Sequence, residues 1–327
     1  MAGRADSGMS DVSKVAIACQ GGGSHTAFTA GVLRELLPAV EAGEFDLVGL
    51  SGTSGGAFTA TAGWYGLRSG EVSAREVLAD VWADIAARSP ADAAANASVV
   101  WGAYMDGHGF PLPDVTPYQH LFDDWGQRQL RRTLEKHVDF DSNPRLVTDD
   151  APRLVVGAVD VTKGEFETFV DADVTADAVL ASAAVPELFE AVEIDGDYHW
   201  DGLLSQNPPI RDHFHVPTAE KPDELWIVQI NPQTRDGQPR SLRAITDRRN
   251  ELAGNLSLNQ ELHLVEHIND WVDQGHLPDD EYKHTTVRRI QLERELDYAS
   301  KLDRSPGFVE DLIDHGEAKA ADFLAAL

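Results

Sequence analysis

The chain is poor in sulfur, with one cysteine, Cys19, and three methionines among 327 residues. A single thiol cannot close an intramolecular disulfide, and nothing points to an oxidising compartment. No stretch approaches the ~18 apolar residues of a spanning helix. Residues 1–13 are polar and acidic, without the apolar run of a signal peptide, and read as a flexible N-terminus. A cytoplasmic protein without a transmembrane segment is expected. Cations are scarce as well: 27 Lys+Arg stand against 55 Asp+Glu, a net charge of −28. Phosphate binding needs basic patches, so nucleic acid is excluded as a partner. An anionic membrane surface should also repel such a chain. Acid in this excess fits a high-salt, halophilic cytoplasm, where a Debye length of roughly 3 Å at 1 M mutes self-repulsion. An ordinary acidic enzyme is the alternative.

The chain nevertheless has the means to fold: 42% hydrophobic and 8% aromatic residues are globular values. Lys14–Cys19 is a buried-strand signal that runs into Gln20-Gly21-Gly22-Gly23-Ser24-His25. A helical pattern follows through Phe28, Val32, Leu36 and Leu37, with Pro38 near its end. Strand, triglycine, helix is the layout of a loop that cradles an anion, because bare amides can converge on one oxygen. No Walker lysine and no dinucleotide fingerprint accompany it; a tight glycine turn is the plainer reading. A second short strand ends near Leu50 and leads into Gly52-Thr53-Ser54-Gly55-Gly56, a G-x-S-x-G nucleophile elbow. Here too an ordinary Gly/Ser turn is the alternative. One βαβ crossover of about thirty residues joins the two loops and presents both at the carboxyl ends of parallel strands.

Further along, helix is expected over 68–88. Residues 98–118, with Trp101, Tyr104, Met105, Phe110 and three prolines, read as an irregular segment, either a lid or a packed excursion. A helix is expected from about Tyr118 to His137, then strands at Arg153–Val161 and Glu165–Val170 and a short helix over 177–185. Tyr198–Leu203 contains Asp201, and Leu225–Ile230 is another buried strand. The remainder reads as mostly helical, with amphipathic stretches at 241–272 and 308–327.

Taken in order, the triglycine, Gly-Thr-Ser-Gly-Gly, Ala181-Ser182-Ala183-Ala184-Val185-Pro186, and Trp200-Asp201-Gly202 before Asn207-Pro208 resemble the patatin-like phospholipase family over residues 14–212. The resemblance implies one domain over 14–327, with a C-terminal helical part at 241–327. It implies a three-layer α/β/α sandwich on a mostly parallel central sheet, and a serine ester hydrolase without a cofactor. Ser54 would be the nucleophile and Asp201 its base, with Gly202 completing the D-G motif. The amides of Gly21, Gly22 and Gly23 would form the oxyanion hole, and Gly52, Thr53, Gly55 and Gly56 would shape the elbow.

Two departures stand out. His25 and Thr26 occupy positions where the family usually carries Arg/Lys and Gly, which weakens the case for a phospholipid head group. Leu203 follows Asp201-Gly202. His25 and His199 are candidates to line the site. His213, His215, His263 and His267 have spacings compatible with metal ligands but no supporting motif, so no metal is expected. Expected partners are a lipid or polyester substrate and a peripheral contact with a lipid or polymer granule surface. The alternative readings are an intracellular polyhydroxyalkanoate depolymerase, known among haloarchaeal members, and a non-catalytic granule- or lipid-binding protein.

Overall fold

The computed structural model describes residues 12–108, 110, 116–118, 125–186 and 188–327. In chain order the elements are β1 (Lys14–Cys19), α1 (Ala27–Glu41), β2 (Asp46–Thr53), α2 (Gly55–Ser69), α3 (Ala74–Ile85), α4 (Pro90–Gly107), α5 (Trp125–His137), α6 (Asn143–Leu146), β3 (Arg153–Asp160), β4 (Glu165–Val170), α7 (Ala176–Ser182), β5 (Val192–Ile194), β6 (Asp197–Asp201), β7 (Glu224–Gln229), α8 (Leu242–Asp273), β8 (Thr286–Gln291) and α9 (Pro306–Ala325).

The strands form one mixed sheet. β2, β1, β7 and β8 run parallel, and β3 lies parallel to β2. Successive residues of β1 face opposite cores. Val15, Ile17 and Cys19 enter the larger core with α1, α2, α3 and α9, whereas Ala16 and Ala18 pack with Leu225, Ile227, Leu258 and Leu262 beneath α8. Helices therefore cover both faces, which is why β1 is apolar at every position from Val15 to Cys19 rather than alternating. The expected three-layer α/β/α arrangement around a central sheet is what the structure has.

β3 positions the functional end of the sheet. Its Ala158 pairs with Glu167 of β4 and with Asp201 of β6, while Gly157 pairs with Thr168 of β4 and Thr53 of β2. A strand has two edges, and β4 takes one along Val155–Asp160. β2 and β6 must therefore share the other, meeting end to end.

Several local expectations change. The stretch over 68–88 is divided: α2 ends at a left-handed Gly70, and α3 restarts with a capping box in which Ser73 and Glu76 satisfy each other's amides. Pro38 lies inside α1 rather than at its end. Trp101, Tyr104 and Met105 belong to α4, which begins with Ser89 as N-cap and Pro90 in its first turn. Of the three prolines that suggested an irregular segment, Pro117 lies in a turn and Pro111 and Pro113 lie outside the described residues, as do residues 119–124 of the helix expected from Tyr118. Residues 1–11 of the expected flexible N-terminus do so too. The C-terminal part is not all helical. β8 falls in the stretch expected to be mostly helical; Thr-Val-Arg-Arg-Ile-Gln carries four polar residues out of six, and its place in the sheet rests on a long-range pairing with β7.

Candidate active site

Ser54 sits between β2 and α2 with φ 57° and ψ −131°, in the left-handed half of backbone space that a serine rarely occupies. The geometry is held from both sides. The Ser54 amide donates to Ser182 Oγ at 2.9 Å, and Ser182 donates onward to the Gly157 carbonyl at 2.6 Å. The triglycine loop closes against the serine: a Cβ on Gly21 would lie 2.5 Å from both Ser54 Cβ and the Thr53 carbonyl oxygen. Gly56 lies directly against the Cys19 and Gln20 carbonyls, so no side chain fits there either.

The loop itself is fixed by three side chains. Asn207 Oδ1 accepts the Gly21 amide at 2.6 Å, Asn231 Nδ2 donates to the Gly21 carbonyl at 2.8 Å, and Gln20 Oε1 accepts the Ile230 and Asn231 amides at 3.1 and 3.0 Å. The Gly21 amide is thus already engaged by Asn207. The Gly22 and Gly23 amides have no acceptor among the described residues.

Asp201 is fully buried. Burial pushes its carboxyl up to about 7; the Ser54 hydroxyl and then the Leu203 amide, which donates to Oδ1 at 2.9 Å, pull the other way. Asp201 Oδ2 is buried without a hydrogen bond of regular geometry among the described residues. Ser54 and the triglycine line a cavity of about 90 Å³, together with Leu188, Leu203 and residues of α8 and of the 3-10 turn Ala299–Leu302.

The two candidate histidines lie elsewhere. His25 is buried and packs edge-on to Phe308. Ser300 Oγ donates to the Asp297 carbonyl, so His25 Nε2–H donates to Ser300 Oγ at 2.8 Å. Burial, with the charges of Lys301 and Arg235, lowers its pKa to about 3. His25 is consequently a neutral clamp on the back of the loop and not a wall of the cavity. A cation does stand in the cavity wall, but it comes from Lys301. Its Nζ reaches Asp247 Oδ1 at 2.6 Å and Glu251 Oε1 at 2.9 Å, two α8 carboxylates that also bind Arg235, with Arg248 on Glu251.

His199 shares a strand face with Asp201, yet its Nε2 pairs with Glu167 Oε2 at 2.7 Å. It joins Asp160 and Glu167 in a trio whose potential metal-ligating atoms lie within 4.8 Å of one another, with Lys163 Nζ 3.1 Å from Asp160 Oδ2. His213 is buried at the other end of β2, against Gly49.

Among the residues that the sequence left without a role, Ser182, Asn207, Asn231 and Lys301 form the frame. The first two lie in motifs that were visible; the last two had no local signal.

A profile of the patatin-like phospholipase family matches residues 17–213, from β1 through both glycine loops to just past Asp201. The chain belongs to the patatin-like phospholipase family. Membership places it among lipid acyl hydrolases. No curated protein sequence matches it. Among solved structures, the crystal structure of VipD from Legionella pneumophila aligns over 96% of this patatin-like chain and 67% of that one, at 14% identity and a TM-score of 0.42. A likeness that weak carries no further argument. No helix among the described residues is long and apolar enough to cross a membrane.

Proposed function

We propose that the protein is a serine carboxylic-ester hydrolase that cleaves lipid acyl esters with Ser54 as nucleophile and Asp201 as general base. The observation that carries this reading is the pairing of a strained Ser54 with a wholly buried carboxyl whose pKa is raised to about 7 and on which the Ser54 hydroxyl acts. A carboxylate with a pKa near neutrality accepts a proton from an attacking hydroxyl more readily than one near 4.

In the reaction, Ser54 Oγ bonds to the acyl carbon while its proton passes to Asp201. The carbonyl oxygen becomes an oxyanion and takes hydrogen bonds from the Gly22 and Gly23 amides, each worth a few kcal/mol in a dry site. Collapse breaks the ester C–O bond, and the leaving alkoxide takes the proton from Asp201. Water then attacks the acyl-enzyme, giving its proton to Asp201, and expulsion of Ser54 Oγ, which takes that proton back, releases the acid. Gly21 is left out of the oxyanion hole because Asn207 already holds its amide.

Purified protein should hydrolyse a short-chain p-nitrophenyl ester and lose that activity in Ser54→Ala. Full activity in Ser54→Ala would sink the proposal.

A further inference from the structure

Three strands bring three ligand-type side chains to one face of the sheet. His199 of β6 stands opposite Asp160 of β3, and Glu167 of β4 stands opposite Ala158, two residues back along β3. Partners across a ladder share a face, as do residues i and i+2, so all three project on the same side. Ala158 is small, and Glu167 reaches across it to His199, with Oε2 2.7 Å from Nε2. The potential ligand atoms of the trio lie within 4.8 Å of one another.

Burial is uneven in a way that suits an ion. The side chains of Asp160 and His199 are 2 and 1% exposed, whereas Glu167 is 38% exposed. Two fixed donors therefore form the floor, and a third, movable one leaves a path in from solvent. Asp160 is held in place by its Oδ1, which accepts the Thr162 and Lys163 amides at 2.8 and 2.9 Å. Its Oδ2 is buried without a hydrogen bond of regular geometry, and His199 Nδ1 is buried without a partner among the described residues. Phe169 packs edge-on against the imidazole, with ring centroids 5.8 Å apart, and closes that side.

Charge at the trio is unbalanced. Glu165 stands opposite Asp160 on β4, and Asp197 precedes His199 by two residues on β6, so four carboxylates gather on this face. Among the described residues, Lys163 is the one lysine or arginine paired with any of them. Its Nζ lies 3.1 Å from Asp160 Oδ2 and also pairs with Asp197, on a side chain that is itself exposed.

From this convergence we infer that Asp160, Glu167 and His199 bind a divalent transition-metal ion of the Zn2+ type, which displaces the Lys163 ammonium from Asp160 and ties β4 and β6 to β3. One imidazole with two carboxylates suits Zn2+ better than Mg2+ or Ca2+, which prefer oxygen alone. Bonds of ~2.0–2.2 Å set ligand atoms roughly 3.4 Å apart in a tetrahedron. The trio has only to tighten slightly, and partly exposed Glu167 is free to move. A fourth position is left for water. The inference does not depend on the Ser54 reading, because neither the ion nor its ligands enter that scheme.

The test is calorimetric titration of the EDTA-treated, dialysed full chain with Zn2+, together with urea unfolding in Zn2+ and in EDTA. Wild type should bind Zn2+, and its urea midpoint should be higher with the ion than in EDTA. Glu167→Gln and His199→Gln should bind at least ~10-fold more weakly and lose the rise in midpoint. Cooperative unfolding of both variants in EDTA shows that they fold. Lys163→Met, which removes the competing cation, should bind more tightly than wild type. Exposed His263 and His267 are retained in every variant, so adventitious binding there gives equal affinity in wild type, Glu167→Gln and His199→Gln. That result overturns the inference, as does a wild-type midpoint that Zn2+ leaves unmoved. Loss of binding in Lys163→Met also overturns it, since the lysine would then belong to the site instead of competing for it.

Discussion

Asp201 continues the edge of β3 that Thr53 leaves: Thr53 pairs with Gly157, and Asp201 with Ala158, the next residue. Two strands separated by well over a hundred residues are laid end to end on one template. The turn out of the first delivers Ser54 beside the carboxyl at the end of the second.

With Asp201 as the proposed base, hydrolysis should depend on the ionisation of one buried acid. With the Asp201 pKa raised by burial to about 7, kcat/KM should rise with pH and level off above about 7, following a single ionisation. Asp201→Asn should lose ~10²–10⁴-fold. A profile that stays flat across that range removes Asp201 as the base. Stability should run the other way. The folded carboxyl holds its proton at a pH where the unfolded one, near 3.8, has released it. The stabilisation is present below the unfolded value and is lost as pH rises through about 7. Asp201→Asn should therefore be more stable than wild type at pH 8, by roughly 2–4 kcal/mol in urea unfolding.

Ser182 should matter to activity without touching substrate. Its hydroxyl joins the Ser54 amide to the Gly157 carbonyl. Ser182→Ala removes the acceptor of the buried Ser54 amide, at a cost of about 1–3 kcal/mol. Chemical denaturation should show that loss. Esterase assays should show kcat falling more than KM rises, because the position of the nucleophile, not substrate contact, has been disturbed.

Lys301 is the bridge between the C-terminal segment and α8. Lys301→Met removes one of the cations that compensate the buried Asp247 and Glu251 and should cost about 3–5 kcal/mol of unfolding free energy. Lys301→Met/Glu251→Gln, which removes a charge of each sign, should recover part of the loss. No recovery in a double-mutant cycle would mean that Lys301 acts through packing alone.

His25 and His213 should make the protein acid-labile. Burial lowers each pKa to about 3, helped at His25 by Lys301 and Arg235 and at His213 by Arg153. Both remain neutral in the fold at a pH where the unfolded side chains, near 6.5, take up protons. Their contribution is full above 6.5 and is lost as pH falls toward 3. The urea midpoint should drop by more between pH 6.5 and 4.5 than in His25→Gln/His213→Gln. His25→Lys should destabilise the fold, because burial and the charges of Lys301 and Arg235 already disfavour a cation at this position.

Much of this was legible in the residues themselves. The apolar run of β1, the glycines against which no Cβ fits, and the strained Ser54 turn are local matters, settled by sterics and by burial on both sheet faces. Ordered motifs gave the family and hence the layered fold. The histidines misled because a side chain's neighbours are not written beside it. His25 looked like a replaced cation at the mouth of the site, yet tertiary contacts with Ser300 and Phe308 bury it as a neutral clamp. His199 shares a face with Asp201, but Glu167 on β4 holds it.

The strand β8, the Asn231 contact with Gly21 and the Lys301 cluster come from chain segments distant in sequence from the glycine loops. Their placement depends on which sheet edge and which helix face remain open after β1 to β7 have packed. The sequence by itself determined the kinds of groups that could meet. Only the tertiary structure decided that Thr53 and Asp201 would share one edge of β3, because pairing along a common strand is a relation between residues that no local pattern encodes.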